Sequence, residues 1–396
     1  NAAAIGGDLV VDSRYNYVAT VPAGGRTWFQ IQMDSTWSSG GNMVADRYNI
    51  DLNDNLFVPG DTVWFFFGAT NTTGKSTYWA LPVPTPSKET DDVEVAASNP
   101  DEFTILPGFL ADIFYVDGMN FRGAQPFFDT AFDMMSLLWS VDRYDIRGPS
   151  SSVGNHPGSR VKNAAVQLAG AYRNIVWNTG DLETAFADGL QYNYDDKSDD
   201  TGVLYTWLEN LTGPGGGIYL NGDHVADMWR NRLTSASATV LRTKYMTFGF
   251  AARDHVPTLG INPLVVGDIA NQTLFRDISG PDTMVVFGGC PLINGFDVLT
   301  AEGTANQEMS YRGMGNTGGA IVSDTTVNAV GNTVGFILSG FSYHYIRDTR
   351  AMGIPVRAEH LHRIHTWFAD IADYPVPVVK PSVTRTQLNQ NYPNPF

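Results

Sequence analysis

The chain is poor in cysteine, in basic residues and in long apolar runs. Its 396 residues include one Cys, Cys290. That rules out a disulfide framework within the chain and any Cys-rich zinc or iron–sulfur site. Lys and Arg number 25 against 41 Asp and Glu, a formal net charge of −16. Phosphate-backbone binding needs clustered Lys and Arg, so nucleic acid is not an expected partner. Adsorption to anionic lipid is disfavoured for the same reason. No stretch of about 18 consecutive apolar residues occurs, so no membrane-spanning helix is expected. Charged residues make up only 17% of the chain, while Gly, Asn, Thr and Ser are plentiful. This is the composition of a secreted or cell-surface bacterial protein. The chain starts at Asn1 without a signal peptide, as expected after processing or in an excerpt. Apolar residues at 43% suffice for a large core, and the length suits two domains.

Residues 1–85 read as all-β. Asp8–Asp12, Thr27–Met33, Asp61–Phe67 and Ser76–Trp79 are short β-branched or aromatic runs separated by Gly, Asn, Pro and Asp. Such spacing predicts an antiparallel β-sandwich. Residues 86–109, with Pro86, Pro100, Pro107 and the acidic run Glu89–Glu94, read as a Pro-rich acidic linker. From residue 110 to 375 strands and helices alternate. Ile113–Asp117, Val141–Ile146, Asn174–Trp177 and Gly217–Leu220 are the strands. Phe127–Trp139, Ser159–Tyr172 (with Ser159 as cap), Asp200–Leu211 and a helix starting at Asp223 lie between or after them. The β-α-β-α order predicts a parallel sheet with helices on both faces. Thr283–Phe287 and Val334–Leu338 read as further strands, and Arg357–Asp370 as a final helix. Residues 376–396 form a Pro-rich tail.

The tail ends Gln387-Leu-Asn-Gln-Asn-Tyr-Pro-Asn-Pro-Phe396. This resembles the segment at the entrance to the C-terminal sorting domain of large secreted bacterial proteins exported by the type IX pathway. The resemblance implies secretion, and a sorting domain that this sequence does not include. The stretch from Ile113 to His224 resembles the flavodoxin-like (Rossmann-like) core of gingipain-like and glutamine-amidotransferase-like domains. It implies a flavodoxin-like α/β domain after the sandwich.

In an open parallel sheet, ligands bind beyond the carboxyl ends of the strands. Asp117, Asn178, Thr179 and Asp223 stand there and are the candidate ligand crevice. Each is also placed to cap a following helix. Cys290 follows Val-Val-Phe-Gly-Gly, and His224 with Asp223 follows another strand. A thiol nucleophile needs a nearby base, and His224 could serve, oriented by Asp223 or Asp117. Neither the Gly-x-Cys-x-Gly elbow of amidotransferase-like domains nor the adjacent His and Cys strands of gingipain-like ones is present. Asp51, Asn53, Asp54 and Asn55 form an oxygen-rich cluster that calcium could use, although turn chemistry accounts for it too. No other cofactor is expected. Glu359, His362 and His365 recur at helical spacing, which suits a metal or, more simply, a solvated helix face. Trp28, Trp37, Trp64, Tyr78 and Trp79 are expected mainly in the sandwich core.

The expectation from these features is a secreted, non-catalytic structural or binding subunit that self-associates or binds other surface proteins or polysaccharide. The alternatives are a cysteine hydrolase using Cys290 and His224, and a carbohydrate-binding protein using exposed aromatic rings.

Overall fold

The structure is a computed structural model. It describes residues 17–371 except for internal stretches, the longest being 38–42, 50–56, 80–88, 120–123, 147–155, 191–197, 256–263, 268–273, 275–282, 287–294 and 349–353. The chain divides into two compact units, with the boundary at Phe109/Leu110.

In the N-terminal unit, β1 (Tyr17–Ala23) pairs with β2 (Arg26–Ile31), and β3 (Asp34–Trp37) with β4 (Met43–Asn49). β5 (Thr62–Phe65), β6 (Phe67–Thr70), β7 (Ser76–Trp79) and β8 (Glu89–Thr90) follow. Then come helix α1 (Val93–Ser98) and β9 (Asp101–Thr104). β5 pairs with β9, and β6, β7 and β8 form a three-stranded sheet, all antiparallel. The segment read as an acidic linker is therefore part of this unit. Asp92 caps α1 by accepting from the Glu94 N–H, and Ala96 and Ala97 are fully buried. Acidic residues there serve as cap and exposed strand face rather than as spacer. The expected strand at Asp8–Asp12 lies outside the described residues.

The second unit is built on an eleven-stranded mixed sheet. β10 (Ile113–Asp117), β11 (Val141–Asp145), β12 (Asn174–Gly180), β13 (Gly217–Gly222) and β20 (Thr333–Ser339) are its parallel part. Their order is β11-β10-β12-β13-β20, so the first strand lies inside and the chain runs outward on both sides of it. β10, β12 and β13 are buried at every position, which explains their nearly unbroken apolar sequences. Beyond β20 the sheet turns antiparallel: β19 (Gly319–Val327), β18 (Asn306–Tyr311), β15 (Leu264–Gly267) and β16 (Thr283–Val285) continue it. β14 (Phe248–His255) pairs with β17 (Phe296–Ala301), which reaches β19 at its end. The expected all-parallel sheet is thus only half of the sheet present.

The helices are α2 (Gln125–Met134), α3 (Pro157–Arg160), α4 (Ala164–Gln167), α5 (Asp200–Asn210), α6 (Val225–Asp227), α7 (Ala236–Val240) and α8 (Val356–Asp370). The expected helix over Ser159–Tyr172 is broken into α3 and α4. The break comes where Asn163 leaves helical geometry and caps α4 through the Val166 N–H. Ser159 lies inside α3 and donates to the His156 carbonyl instead of capping. Asp199 caps α5, accepting from the Gly202 N–H at 2.8 Å. Trp177, Trp207 and Trp229 are among the largest fully buried side chains, each contributing roughly 2–3 kcal/mol by leaving water.

Candidate functional site

The point where strand order reverses lies at the carboxyl ends of β10 and β12, and the polar residues there come from four parallel strands. Asp117 ends β10 and is 8% exposed. Its carboxylate accepts from the Met119 N–H at 2.9 Å. Burial pushes its pKa up from the ordinary range to about 6, with Asp145 on β11 adding to the rise. The Met119 bond and Arg143 work in the opposite sense. Gly118 follows because a Cβ there would sit 2.8 Å from the Asn178 carbonyl, which accepts the Gly118 N–H. Gly180, at φ +61°, turns the chain out of β12.

Asn178, Thr179, Asn221 and Asp223 are buried, and all four bond to protein groups. Thr179 donates to the Asn221 carbonyl at 3.3 Å. Asn221 donates to the Trp177 carbonyl at 3.1 Å and accepts from the Tyr343 N–H at 3.0 Å. Asp223 Oδ1 accepts from the Ser342 N–H at 3.1 Å. Asn178 Oδ1 accepts from the Ser342 hydroxyl at 2.8 Å and from the Gly180 N–H at 3.3 Å. Its Nδ2 has no hydrogen-bond partner among the described residues. The segment just past β20 therefore lies across the ends of β12 and β13.

Ser342 Oγ is also 2.7 Å from His344 Nδ1. A serine hydroxyl has one proton, and Gly180 orients the Asn178 amide so that its oxygen receives it. His344 Nδ1 must then carry a proton and donate to Ser342 Oγ. That polarity is the reverse of nucleophile activation, in which the imidazole accepts the serine proton. Ser342 is also fully buried. Sequence reasoning did not single out Ser342 and His344. Gly340-Phe-Ser-Tyr-His344 carries no nucleophile signature, and only their place after a parallel strand could have marked them.

Of the sequence-predicted residues, Asp117, Asn178, Thr179 and Asp223 do come together at the strand ends. His224 follows as the residue before α6. Cys290 lies outside the described residues, as do Asp51, Asn53, Asp54 and Asn55. Among the described residues no group of three or more His, Cys, Asp or Glu is placed to hold a metal. Glu359, His362 and His365, the residues read as a solvated face of α8, are all half-buried. His360 is fully buried with Nε2 3.2 Å from the Tyr219 hydroxyl, and burial lowers its pKa to about 3. Burial lowers that of His365 to about 4, and His365 Nδ1 is 3.4 Å from Asn174 Nδ2.

The aromatic residues of the N-terminal unit split between two environments. Trp28 and Tyr78 are half-buried and pack on Phe66, with centroids 4.8 and 6.0 Å apart. Trp64 and Trp79 are exposed, against the expectation of core packing. Alternation along β5 puts Trp64 on the solvated face, and Trp79 ends β7 on the face opposite Tyr78.

No protein-family model matches the chain, and no curated protein matches it. One solved structure that it is similar to is described as a "putative ThuA-like protein" from Parabacteroides merdae ATCC 43184. The match has 11% identity and a TM-score of 0.32, covering 67% of this chain and 92% of that one. No helix among the described residues is long and apolar enough to cross a membrane.

Proposed function

We propose that this chain is a secreted, non-catalytic binding or assembly module. Its α/β unit is read as flavodoxin-like, and the small antiparallel sheets before it as parts of a β-sandwich. The strand order β11-β10-β12-β13-β20 supports the first reading, being the 2-1-3-4-5 order of that fold. The export-type tail Gln387–Phe396 supports secretion. The observation that carries the non-catalytic reading is the filled crevice. Ser342 and Tyr343 already engage the polar groups of Asn178, Asn221 and Asp223 that a ligand would use.

The test is thiol alkylation of native protein across pH, with and without His224→Ala, beside hydrolysis of ester and amide probes. Cys290 is expected to label only on unfolding, and Ser342→Ala and Cys290→Ser to leave the hydrolysis background unchanged. Rapid labelling at neutral pH that slows in His224→Ala, or hydrolysis abolished by either variant, overturns the reading.

A further inference from the structure

We infer that Asn71, at the tip of the β6–β7 hairpin, is the acceptor of an N-linked glycan delivered from a polyisoprenyl-diphosphate-linked oligosaccharide. The inference rests on the proposed secretion of the chain, because this acceptor motif is used in secreted proteins. The sequence contains three Asn-x-Ser/Thr triplets: Asn71-Thr-Thr73, Asn210-Leu-Thr212 and Asn271-Gln-Thr273. Each puts a hydroxyl two residues after the amide that receives the sugar. Asn271 lies outside the described residues. The structure separates the other two.

At Asn71 the amide is oriented by its own turn. The Asn71 N–H donates to the Lys75 carbonyl, and the Asn71 carbonyl accepts from the Gly74 N–H, both at 3.0 Å. The side-chain Oδ1 accepts from the Thr73 N–H at 3.0 Å, the Thr73 hydroxyl at 2.7 Å and the Lys75 N–H at 3.0 Å. Three donors converging on one amide atom identify that atom as the oxygen. Nδ2 is then the amide atom left to solvent, since every residue from Phe67 to Lys75 is exposed. Asn210 carries the same triplet in the opposite setting. It ends α5 half-buried, and its Nδ2 donates to the Thr206 carbonyl at 2.8 Å. Sugar transfer there would break that bond and unwind the last turn of the helix.

The chemistry suits the geometry at Asn71. Nδ2 attacks the anomeric carbon of the oligosaccharide. A C–N bond forms there, the anomeric C–O bond breaks, and the lipid diphosphate departs with the bonding pair. The Nδ2 proton passes to a base of the transferase. As it leaves, negative charge builds on Oδ1, where the Thr73 hydroxyl and two N–H groups already point. The position of the glycan also has a physical consequence. Asn71 directly follows β6, whose Phe-Gly-Ala-Thr sequence carries no charge or proline and whose four residues are all exposed. Among the described residues β6 pairs only with β7. Unprotected edges of this kind recruit other strands, and a bulky hydrophilic glycan at the end of β6 obstructs such pairing.

The test is peptide mass spectrometry after the folded full chain is incubated with a transferase specific for Asn-x-Ser/Thr and a dolichyl-diphosphate-linked oligosaccharide. A free peptide of residues 66–79 and the variants Thr73→Val and Thr73→Ser run alongside. The folded chain is expected to carry a glycan on Asn71, with Asn210 bare. Thr73→Val should lose the glycan at unchanged melting temperature, and Thr73→Ser should keep it. A bare Asn71 in the folded chain, whether or not the free peptide is modified, overturns the inference. So does a glycan on Asn210 instead, or transfer to Thr73→Val. The same measurement on the chain from its native culture separates the inference from the reading it rests on. Protein in the medium with Asn71 bare overturns the glycan and keeps secretion. Protein confined to the cells overturns secretion, and the inference with it.

Discussion

At the carboxyl ends of the parallel strands, Asn178, Asn221, Asp223 and Ser342 are polar and buried. On β6 and β7, Phe67 and Trp79 are apolar and exposed. Each region departs from the average partition of side chains, in opposite directions, and such departures are the informative ones. In the first region the departure is resolved inside the molecule. Most of these carboxylate, amide and hydroxyl groups find main-chain and side-chain partners, Asn178 Nδ2 being the exception among the described residues, so burial costs little. In the second the rings are only partly covered, and apolar surface points outward. A conventional binding crevice and a conventional solvated sheet face have exchanged characters.

The largest expected effect comes from breaking the buried side of this contrast. Asn221→Ala removes the acceptor for the Tyr343 N–H and the donor to the Trp177 carbonyl. It should lower unfolding free energy by about 2–4 kcal/mol in urea titration. A loss below about 0.5 kcal/mol would mean the network is loosely made.

Asp117→Asn sharpens the contrast in the other direction. The folded-state pKa of Asp117 is raised to about 6, so the protein favours its protonated form. That contribution is complete below the ordinary carboxylate range and is lost as pH rises through about 6. The variant keeps the acceptor for Met119 without the charge. It should be more stable than the parent by up to about 2 kcal/mol at pH 8, with the gap closing near pH 4. No gain at pH 8 would show that Asp117 is better hydrated than its burial implies.

The histidines of α8 give an opposite slope. His360 stays neutral in the fold to about pH 3 and His365 to about pH 4, while the unfolded chain binds those protons near pH 6.5. Stability should therefore fall as pH drops from about 6.5 toward 4. His360→Gln should flatten that limb by about 1 kcal/mol per pH unit, read from thermal melts across pH. On the exposed side the smallest effect is expected. Phe67→Ser should change stability by less than about 1 kcal/mol, since its ring is only partly removed from water.

The central strands were legible because β10, β12 and β13 are buried on both faces, so Ile113–Val116, Ile175–Trp177 and Ile218–Leu220 are uninterrupted apolar runs. Strand ends and the rule for open sheets then located Asp117, Asn178, Thr179 and Asp223. The antiparallel half was harder to read because its strands bury Glu308, Ser323 and Asp324, which disguise them as loop. Glu308 is satisfied by the Ser323 hydroxyl, a pairing that exists only after β18 meets β19. The same holds for the crevice. Ser342 lies 164 residues from Asn178, and no local pattern announces their bond. The placement of Trp64 and Trp79 was missed for another reason: composition reports that aromatics are present, while exposure depends on which face each strand presents.

The closure of the crevice by the segment after β20 is tested most directly by native-state amide hydrogen exchange at Ser342 and Tyr343. Both N–H groups are held by buried side chains, Asp223 and Asn221. They should exchange as slowly as the amides of β13, through global unfolding only. Exchange near the rate of an unstructured peptide, with β13 still protected, would mean that this segment opens and exposes the crevice, and would contradict the account.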